Sequence, residues 1–401
     1  MSSAPYVKFR PAARPITDRP PRPAAGVSSF VMPAVSGREV CITVQAGAGA
    51  EIPELFKRLA QALEEREAAM VHLLVFGKVA ANGRAVEAMK RIFGGIEWPV
   101  TWVEGAACDG GEIAGLQAFA FAGAEVQRIR RGGRVVGSVF SDGAFRHCML
   151  GGVGPDNPCD SRPAQTRQTL DNLAGAMECA GFQFSDSIRT WFYLEDLLEW
   201  YGEFNRVRTE FYTGLKFRTA SLPASTGISA RNPGGAALLA GAWAVQPLCA
   251  GVGAEEVGSP LQCPAPAYGS SFSRAMDLFS PTGRRLFISG TASIAPDGRT
   301  LWEEQVPKQV AQTMDVVEAI LRSRNYSLKD TTRATAYFKR RTDTQAFADW
   351  CVKRGWASPV VVMANSDICR SDLLFELELD AWRSNGQPGL PTPPPSACQA
   401  G

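Results

Sequence analysis

The tightest constraint on this chain is that part of it is written twice. Residues 165–193, QTRQTLDNLAGAMECAGFQFSDSIRTWFY, align without a gap with residues 309–337, QVAQTMDVVEAILRSRNYSLKDTTRATAY. The two share Gln165/Gln309, Gln168/Gln312, Thr169/Thr313, Asp171/Asp315, Asp186/Asp330, Arg189/Arg333 and Tyr193/Tyr337. Each segment opens as an amphipathic helix, with Leu170, Leu173 and Met177 in one and Met314, Val317, Ile320 and Leu321 in the other. Each then alternates as a half-buried strand through Arg-x-x-x-Tyr. A hairpin with a glycine near its end precedes each helix, FRHCMLGG at 145–152 and RLFISGTAS at 285–293. Second helices at 197–212 and 342–354, each with two further strands, complete the order β-β-α-β-α-β-β. A degraded third copy comes first: helix 52–66, strand VHLLVFGKV from 71, helix 83–93 and two strands. Pro99 to Gly110 and Pro223 to Gly234 keep the same spacing, and Pro359 supplies the third proline.

A repeat of roughly 100–125 residues exceeds a solenoid unit and is large enough to be a domain. Each copy leaves one sheet face uncovered, so three copies are expected to cover one another as the subunits of a cyclic trimer do. The expected fold is α+β, a pseudo-trimer within one chain that needs no partner copy and so acts as a monomer. Its parts are a disordered Pro-rich N-terminus at 1–35, a degenerate unit at 36–124, a second unit at 125–250, a third at 270–382 and a disordered tail at 383–401.

Composition removes several function classes. Lys plus Arg number 42 against 40 Asp plus Glu, a net charge of +2, which argues against a general nucleic-acid binder. With only His72 and His147, multi-histidine metal centres drop out and Ser/His or Cys/His pairs have few candidates. Ten cysteines without a C-x-x-C write neither a zinc ribbon nor a dithiol redox motif and suit buried thiols in a reducing cytoplasm. The N-terminus lacks the apolar segment of a signal peptide, so a cytoplasmic location is expected. Residues 234–254 are uncharged, but Gln246 and Pro247 make a buried strand and loop the better reading than a membrane span. VCITVQAGAGAEIPELFKRL at 40–59 opens like a dinucleotide fold, yet Gly47 and Gly49 are followed by Ile52 where the last glycine would stand.

The unit resembles the YjgF/RidA (chorismate mutase-like) fold, whose small proteins form homotrimers with ligand clefts between subunits. The resemblance rests on Ser289-Gly290, the Q-x-x-Q-T helix, the strand RATAYFK, and a closing pattern of Pro359, Glu376 and Glu378. Imine deaminases of that family carry an arginine two positions after a proline; here those positions are Thr101, Ser225 and Val361. The fused arrangement of LPASTGI at 222–228, FISGTASI at 287–294 and DICRSDLLFELE at 367–378 is instead similar to the chorismatases. That resemblance implies cleavage of chorismate, without cofactor or metal, to pyruvate and either a hydroxybenzoate or a dihydroxycyclohexadiene carboxylate. A non-catalytic YjgF-like protein that binds a small ligand is the rival reading.

Counting seventeen residues from each proline gives Leu116, Ala240 and Glu376, so only the last copy carries an acid there. Strand alternation puts Glu376 and Glu378 on one face, expected to be the cleft between copies. Glu376 is the expected proton donor to the vinyl carbon of an enolpyruvyl ether, provided burial or Glu378 keeps it neutral. Cys369 stands at a position that the resemblance links to product choice; by itself it reads equally as a small buried hydrophobe. Gly290, Thr291, Ala292 and Ser293, facing Ser225, Thr226 and Gly227, are candidates to hold the carboxylates. Arg218, Lys339, Arg340 and Arg370 are candidate counter-charges for a dianion, and Tyr212 is a candidate wall of the ring pocket.

Overall fold

The computed structural model describes residues 26–47, 49–108, 110–357 and 360–386. The first unit consists of β1 (Val27–Pro33), β2 (Arg38–Gln45), α1 (Ile52–Glu65), β3 (Ala69–Gly77), α2 (Asn82–Phe93), β4 (Val100–Val103), the short β5 (Ala106–Ala107) and β6 (Ile113–Ala122). The second consists of β7 (Gln127–Arg131), β8 (Arg134–Ser141), β9 (Phe145–Val153), α3 (Arg162–Glu178), β10 (Ser187–Leu194), α4 (Leu197–Thr213), β11 (Ala224–Ser229) and β12 (Leu238–Pro247). The third consists of β13 (Gly253–Val257), β14 (Ala275–Phe279), β15 (Gly283–Ala292), α5 (Val306–Ser323), β16 (Thr331–Phe338), α6 (Thr344–Arg354), β17 (Val361–Asn365) and β18 (Phe375–Ser384).

These strands form three mixed sheets, ordered β1-β2-β6-β3-β4, β11-β10-β12-β9-β8-β7 and β13-β14-β15-β18-β16-β17-β5. Each sheet packs its helix pair on one face, through cores built around Phe56 and Leu116, Phe204 and Leu173, and Ile320 and Leu377. The opposite faces meet in a shared core that includes Phe76, Phe119, Trp191, Trp243, Phe287 and Tyr337, contributed by all three units. Three internal units around one core fit a pseudo-trimer. Among the described residues no helix is long and apolar enough to cross a membrane.

The repeated residues have structural jobs. Gln165 on α3 donates to the carbonyls of Pro158 and Asp160 and accepts from the Ala237 amide; Gln309 on α5 donates to Trp302 and Asp372 and accepts from Leu374. In both units one glutamine ties the loop entering the helix to the segment that feeds the last strand. Asp186 and Asp330 each close a turn by accepting the amide three residues back, from Gln183 and Ser327.

Three expectations need correction. Residues 27–33, expected to be disordered, form β1, a hairpin partner of β2 at a sheet edge where the terminal Pro33 costs no ladder bond. The beginning of the tail also belongs to β18, which runs to Ser384. Finally, the proline count is off by one. Each unit has the same bulge, between Met70 and His72, Ser187 and Arg189, and Thr331 and Arg333, which makes His72, Arg189 and Arg333 equivalent. Four residues on, Phe76, Tyr193 and Tyr337 pair with Gly115, Leu239 and Glu376. The equivalents of Glu376 are therefore Gly115 and Leu239. Leu116 and Ala240 face the helix layers instead, because a one-residue slip moves a strand side chain to the other face. Pro359 lies outside the described residues, as do residues 1–25 and 387–401.

Candidate active site

Strand β18 carries its chemistry on alternate residues. Leu377 and Leu379 enter the helix-side core of the third unit, whereas Glu376, Glu378 and Asp380 point inward and are 4%, 0% and 0% exposed. Two acids are neutralised by the repeated arginines. Arg189 donates to Glu378 Oε2 at 2.7 Å, and Arg333 reaches Glu378 Oε1 at 3.2 Å and Asp380 Oδ2 at 3.0 Å. Trp191 Nε1 and Thr226 Oγ1 also donate to Glu378, at 3.0 and 2.7 Å. Burial pushes the Glu378 pKa up, but Arg333, Arg189 and these donors outweigh it and hold the group below the usual carboxylate range. In the first unit the equivalent His72 is pushed down to about 3, by burial and then by Arg333, and stays neutral. The centre of the molecule thus balances two guanidiniums against two carboxylates.

Glu376 is left over. No hydrogen bond reaches its carboxyl among the described residues, and burial, followed by the adjacent Glu378 charge, pushes its pKa up to about 8; Arg189 and Arg274 oppose this. At neutral pH the group is mostly a neutral acid. It opens into a cavity of about 160 Å³ at the seam between the second and third units. Gly290 makes this placement possible: a Cβ there would collide with Glu376 Oε1 and lie 3.2 Å from the Thr226 methyl.

Besides Glu376 on β18 and the stretch from Gly290 to Ile294 at the end of β15, four segments supply the cavity walls. Helix α4 presents Tyr201, Asn205 and Arg208, four and three residues apart on one helical face. The segment leading into β14 supplies Tyr268, Ser270, Phe272 and Arg274. Ser225 and Gly227 come from β11; Cys369 and Arg370 come from the loop before β18. The three guanidiniums share an unusual trait: their partners are neutral. Arg208 donates to Asn205 Oδ1, Arg274 to the Cys263 carbonyl and Arg370 to the Gly298 carbonyl, and none makes an ion pair among the described residues. Arg208 and Arg274 are only 1% and 3% exposed. Buried cations without counter-ions are costly, and an anionic ligand would discharge that cost.

Of the sequence candidates, Glu376, Cys369, Ser225, Gly227, Gly290, Ala292 and Arg370 line the cavity. Burial, and then the neighbouring Glu376, pushes the Cys369 thiol up to about 12, so it is a neutral wall and not a thiolate. Several proposed anion donors are already engaged. The Gly290 amide donates to Thr226 Oγ1, Thr291 Oγ1 to the Ser289 carbonyl and Ser293 Oγ to the Leu301 carbonyl.

Four candidates sit elsewhere. Arg218 is paired with Asp186 beside the turn before β10, Lys339 donates to the Ser371 carbonyl, and Arg340 pairs with Glu304, all with exposed or half-exposed side chains. Tyr212 packs among Phe184, Phe211 and Phe217 inside the second unit. Sequence reasoning missed Arg208, Arg274, Tyr201, Tyr268 and Phe272. The helical spacing of Tyr201, Asn205 and Arg208 was a usable signal. The segment before β14 had none, because it belongs to a long connection between β13 and β14 where the second unit has only a tight turn between β7 and β8. The position equivalent to Ser225 and Val361 is Val100 rather than Thr101, and no arginine stands there in any unit.

One group of possible metal ligands occurs among the described residues: Glu39, Asp142 and His147. Glu39 is paired with Arg285, Trp243 Nε1 donates to His147 Nδ1, and His147 Nε2 faces Asp142 at 3.2 Å, so the cluster is taken up by its neighbours.

No family model matches the chain. It is similar to a 3-hydroxybenzoate synthase of Streptomyces hygroscopicus, 27% identical over 49% of this chain and 64% of that protein. A chorismatase of the same organism is 28% identical over 47% of this chain and 60% of its own length. The matched stretches thus span under two thirds of these relatives. A RutC family protein of Pyrococcus horikoshii is 28% identical over 25% of this chain and 81% of its own length. A crystal structure of a chorismatase superposes with a TM-score of 0.61 at 21% identity, covering 86% of this chain and 99% of that one. The chain therefore has the chorismatase fold of three YjgF-like units, and its sequence resembles that family over about half its length.

Proposed function

We propose that this chain cleaves chorismate, releasing pyruvate and a hydroxybenzoate, with Glu376 as the proton donor. The observation that carries the reading is a neutral, buried carboxyl in a cavity that also holds three guanidiniums without counter-ions among the described residues. Chorismate is a dianion whose ring and enolpyruvyl carboxylates would supply the missing negative charge. Arg208, Arg274 and Arg370 hold the carboxylates in this reading, while Tyr201, Tyr268 and Phe272 face the ring.

Glu376 delivers its proton to the terminal vinyl carbon, which becomes the pyruvate methyl group. The ether becomes an oxocarbenium ion, and the carboxylate left on Glu376 stabilises that cation. The ion then follows one of two routes. In the intramolecular route the ring hydroxyl attacks the neighbouring ring carbon that bears the ether, and the carbon–oxygen bond there breaks to release pyruvate. A ring proton returns to Glu376 as the ring becomes aromatic, so a hydroxybenzoate plus pyruvate together contain the atoms of chorismate. Attack by water adds one water and yields a dihydroxycyclohexadiene carboxylate. The closed aromatic walls and the neutral Cys369 thiol favour the intramolecular route, for which we assign Cys369 a positioning role. Incubation with chorismate, with pyruvate measured enzymatically and the ring product by mass and ultraviolet spectrum, tests the assignment. No pyruvate release removes it, and a non-aromatic product selects the water route.

The acid must be protonated in the free enzyme, so kcat/KM is expected to stay level on the acid side and fall as pH rises through about 8. A falling limb centred in the ordinary carboxylate range would mean that Glu376 is not the group being titrated. Gly290→Ala puts a methyl group where the carboxyl sits. Turnover is expected to drop by about 10²-fold from displacement of the acid, while the thermal midpoint barely moves because the carboxyl can swing into the cavity. Unchanged turnover would place the working carboxyl elsewhere.

A further inference from the structure

The seam between the first and second units repeats the geometry of the seam that holds Glu376. Register equivalence sets Gly152 on β9 and Gly154 just beyond it in the places of Gly290 and Ala292, and Leu239 in the place of Glu376. Across the seam, Val100 and Trp102 on β4 stand where Ser225 and Gly227 do. The third seam is shut: Gln45 Nε2 donates to the Val361 carbonyl at 2.7 Å, and a Cβ on Gly115 would lie 2.7 Å from a Val362 methyl. The first-to-second seam instead keeps a cavity of about 700 Å³.

We propose that this cavity is a second small-molecule site, one that takes a planar aromatic carboxylate. With Leu239 replacing the acid, the wall has no proton donor like Glu376, so the site binds without the proposed chemistry. Trp98, Trp102, Met89 and Val86 supply broad apolar surface for a ring. The indole N–H groups of Trp98 and Trp102 are buried and have no acceptor among the described residues. Charge at the seam is also uneven. Arg130 is paired with Glu97, but Arg134 makes only a 3.4 Å contact to the Gly152 carbonyl and no ion pair among the described residues, so its guanidinium is available to a carboxylate.

The test is equilibrium dialysis of the full chain against benzoate, which requires no turnover and is therefore read independently of the proposed reaction. Saturable binding is expected. Val86→Trp, which fills the cavity from the half-buried face of α2, and Arg134→Ala are each expected to weaken it at least about tenfold, or ~1.4 kcal/mol. Arg274→Ala, in the other cavity, is expected to leave this binding in place. Thermal unfolding of each variant identifies any loss of fold, and Arg134→Ala carries the test if the larger side chain is not accommodated. Absence of saturable binding at millimolar benzoate overturns the proposal. So does binding unchanged by Arg134→Ala, or binding abolished by Arg274→Ala.

Discussion

Glu376→Gln is expected to cut chorismate turnover by about 10² to 10⁴-fold, the usual contribution of a general acid, and at the same time to make the protein more stable. The opposite signs have one cause. The carboxyl is raised from an ordinary 4.5 to about 8 because its charged form is disfavoured in the folded protein. Between those two values the unfolded chain has released the proton and the folded chain still holds it, so stability falls as pH rises. The slope is about 1.4 kcal/mol per pH unit, and the whole deficit, on the order of 5 kcal/mol, is present once pH exceeds the folded value. Glutamine keeps the shape, cannot ionise and removes this slope. Urea unfolding of parent and variant at about pH 5 and about pH 8 reads it directly: the two proteins should nearly coincide at the lower pH and separate at the higher. A variant that retains full turnover, or one whose stability tracks the parent at both values, would contradict a buried neutral acid at this position.

Arg333→Met should act in the other direction, costing about 3–5 kcal/mol, because it strips one cation from a fully buried set and leaves Asp380 without the one ion pair it makes among the described residues. Methionine roughly fills the aliphatic part of the space, so the loss reports the unpaired charge more than a void. The Arg333→Met, Asp380→Asn double variant is expected to recover part of the loss, since the charge left behind is removed with its partner. Guanidinium unfolding with an unchanged m-value would measure both. A cost below about 1 kcal/mol for the single variant would show that water or rearrangement compensates Asp380, and the account of a balanced central charge set would then fail.

Much of the architecture was legible because it depends on patterns that are local. The α3 and α5 segments announce themselves by apolar spacing, and β10 and β16 by alternation through Arg189 and Arg333. Aligning the copies showed that those arginines matter without saying why; the reason is that Arg189 pairs with Glu378 across two sheets and Arg333 with Asp380 on the neighbouring strand. The off-by-one count that named Leu116 and Ala240 has the same origin. Residue spacing along the chain does not encode where a loop ends and a ladder begins, and only strand pairing settles which residue faces which layer. Arg218, Lys339 and Arg340 looked well placed because they flank the motifs in sequence. All three stand in connections outside the strands and find partners there.

Taken alone, the amino-acid order determined the threefold duplication, the element sequence of each copy and the survival of an acid in only the last one, since each of these follows from periodicity and comparison within the chain. Tertiary structure decided what that acid can do. Its displaced pKa, and the guanidiniums of Arg208 and Arg274 that lack counter-ions among the described residues, arise where β18, β11, α4 and the segment before β14 meet. Desolvation and Coulomb energy depend on distances through space and on the exclusion of water, and neither is set by position along the chain.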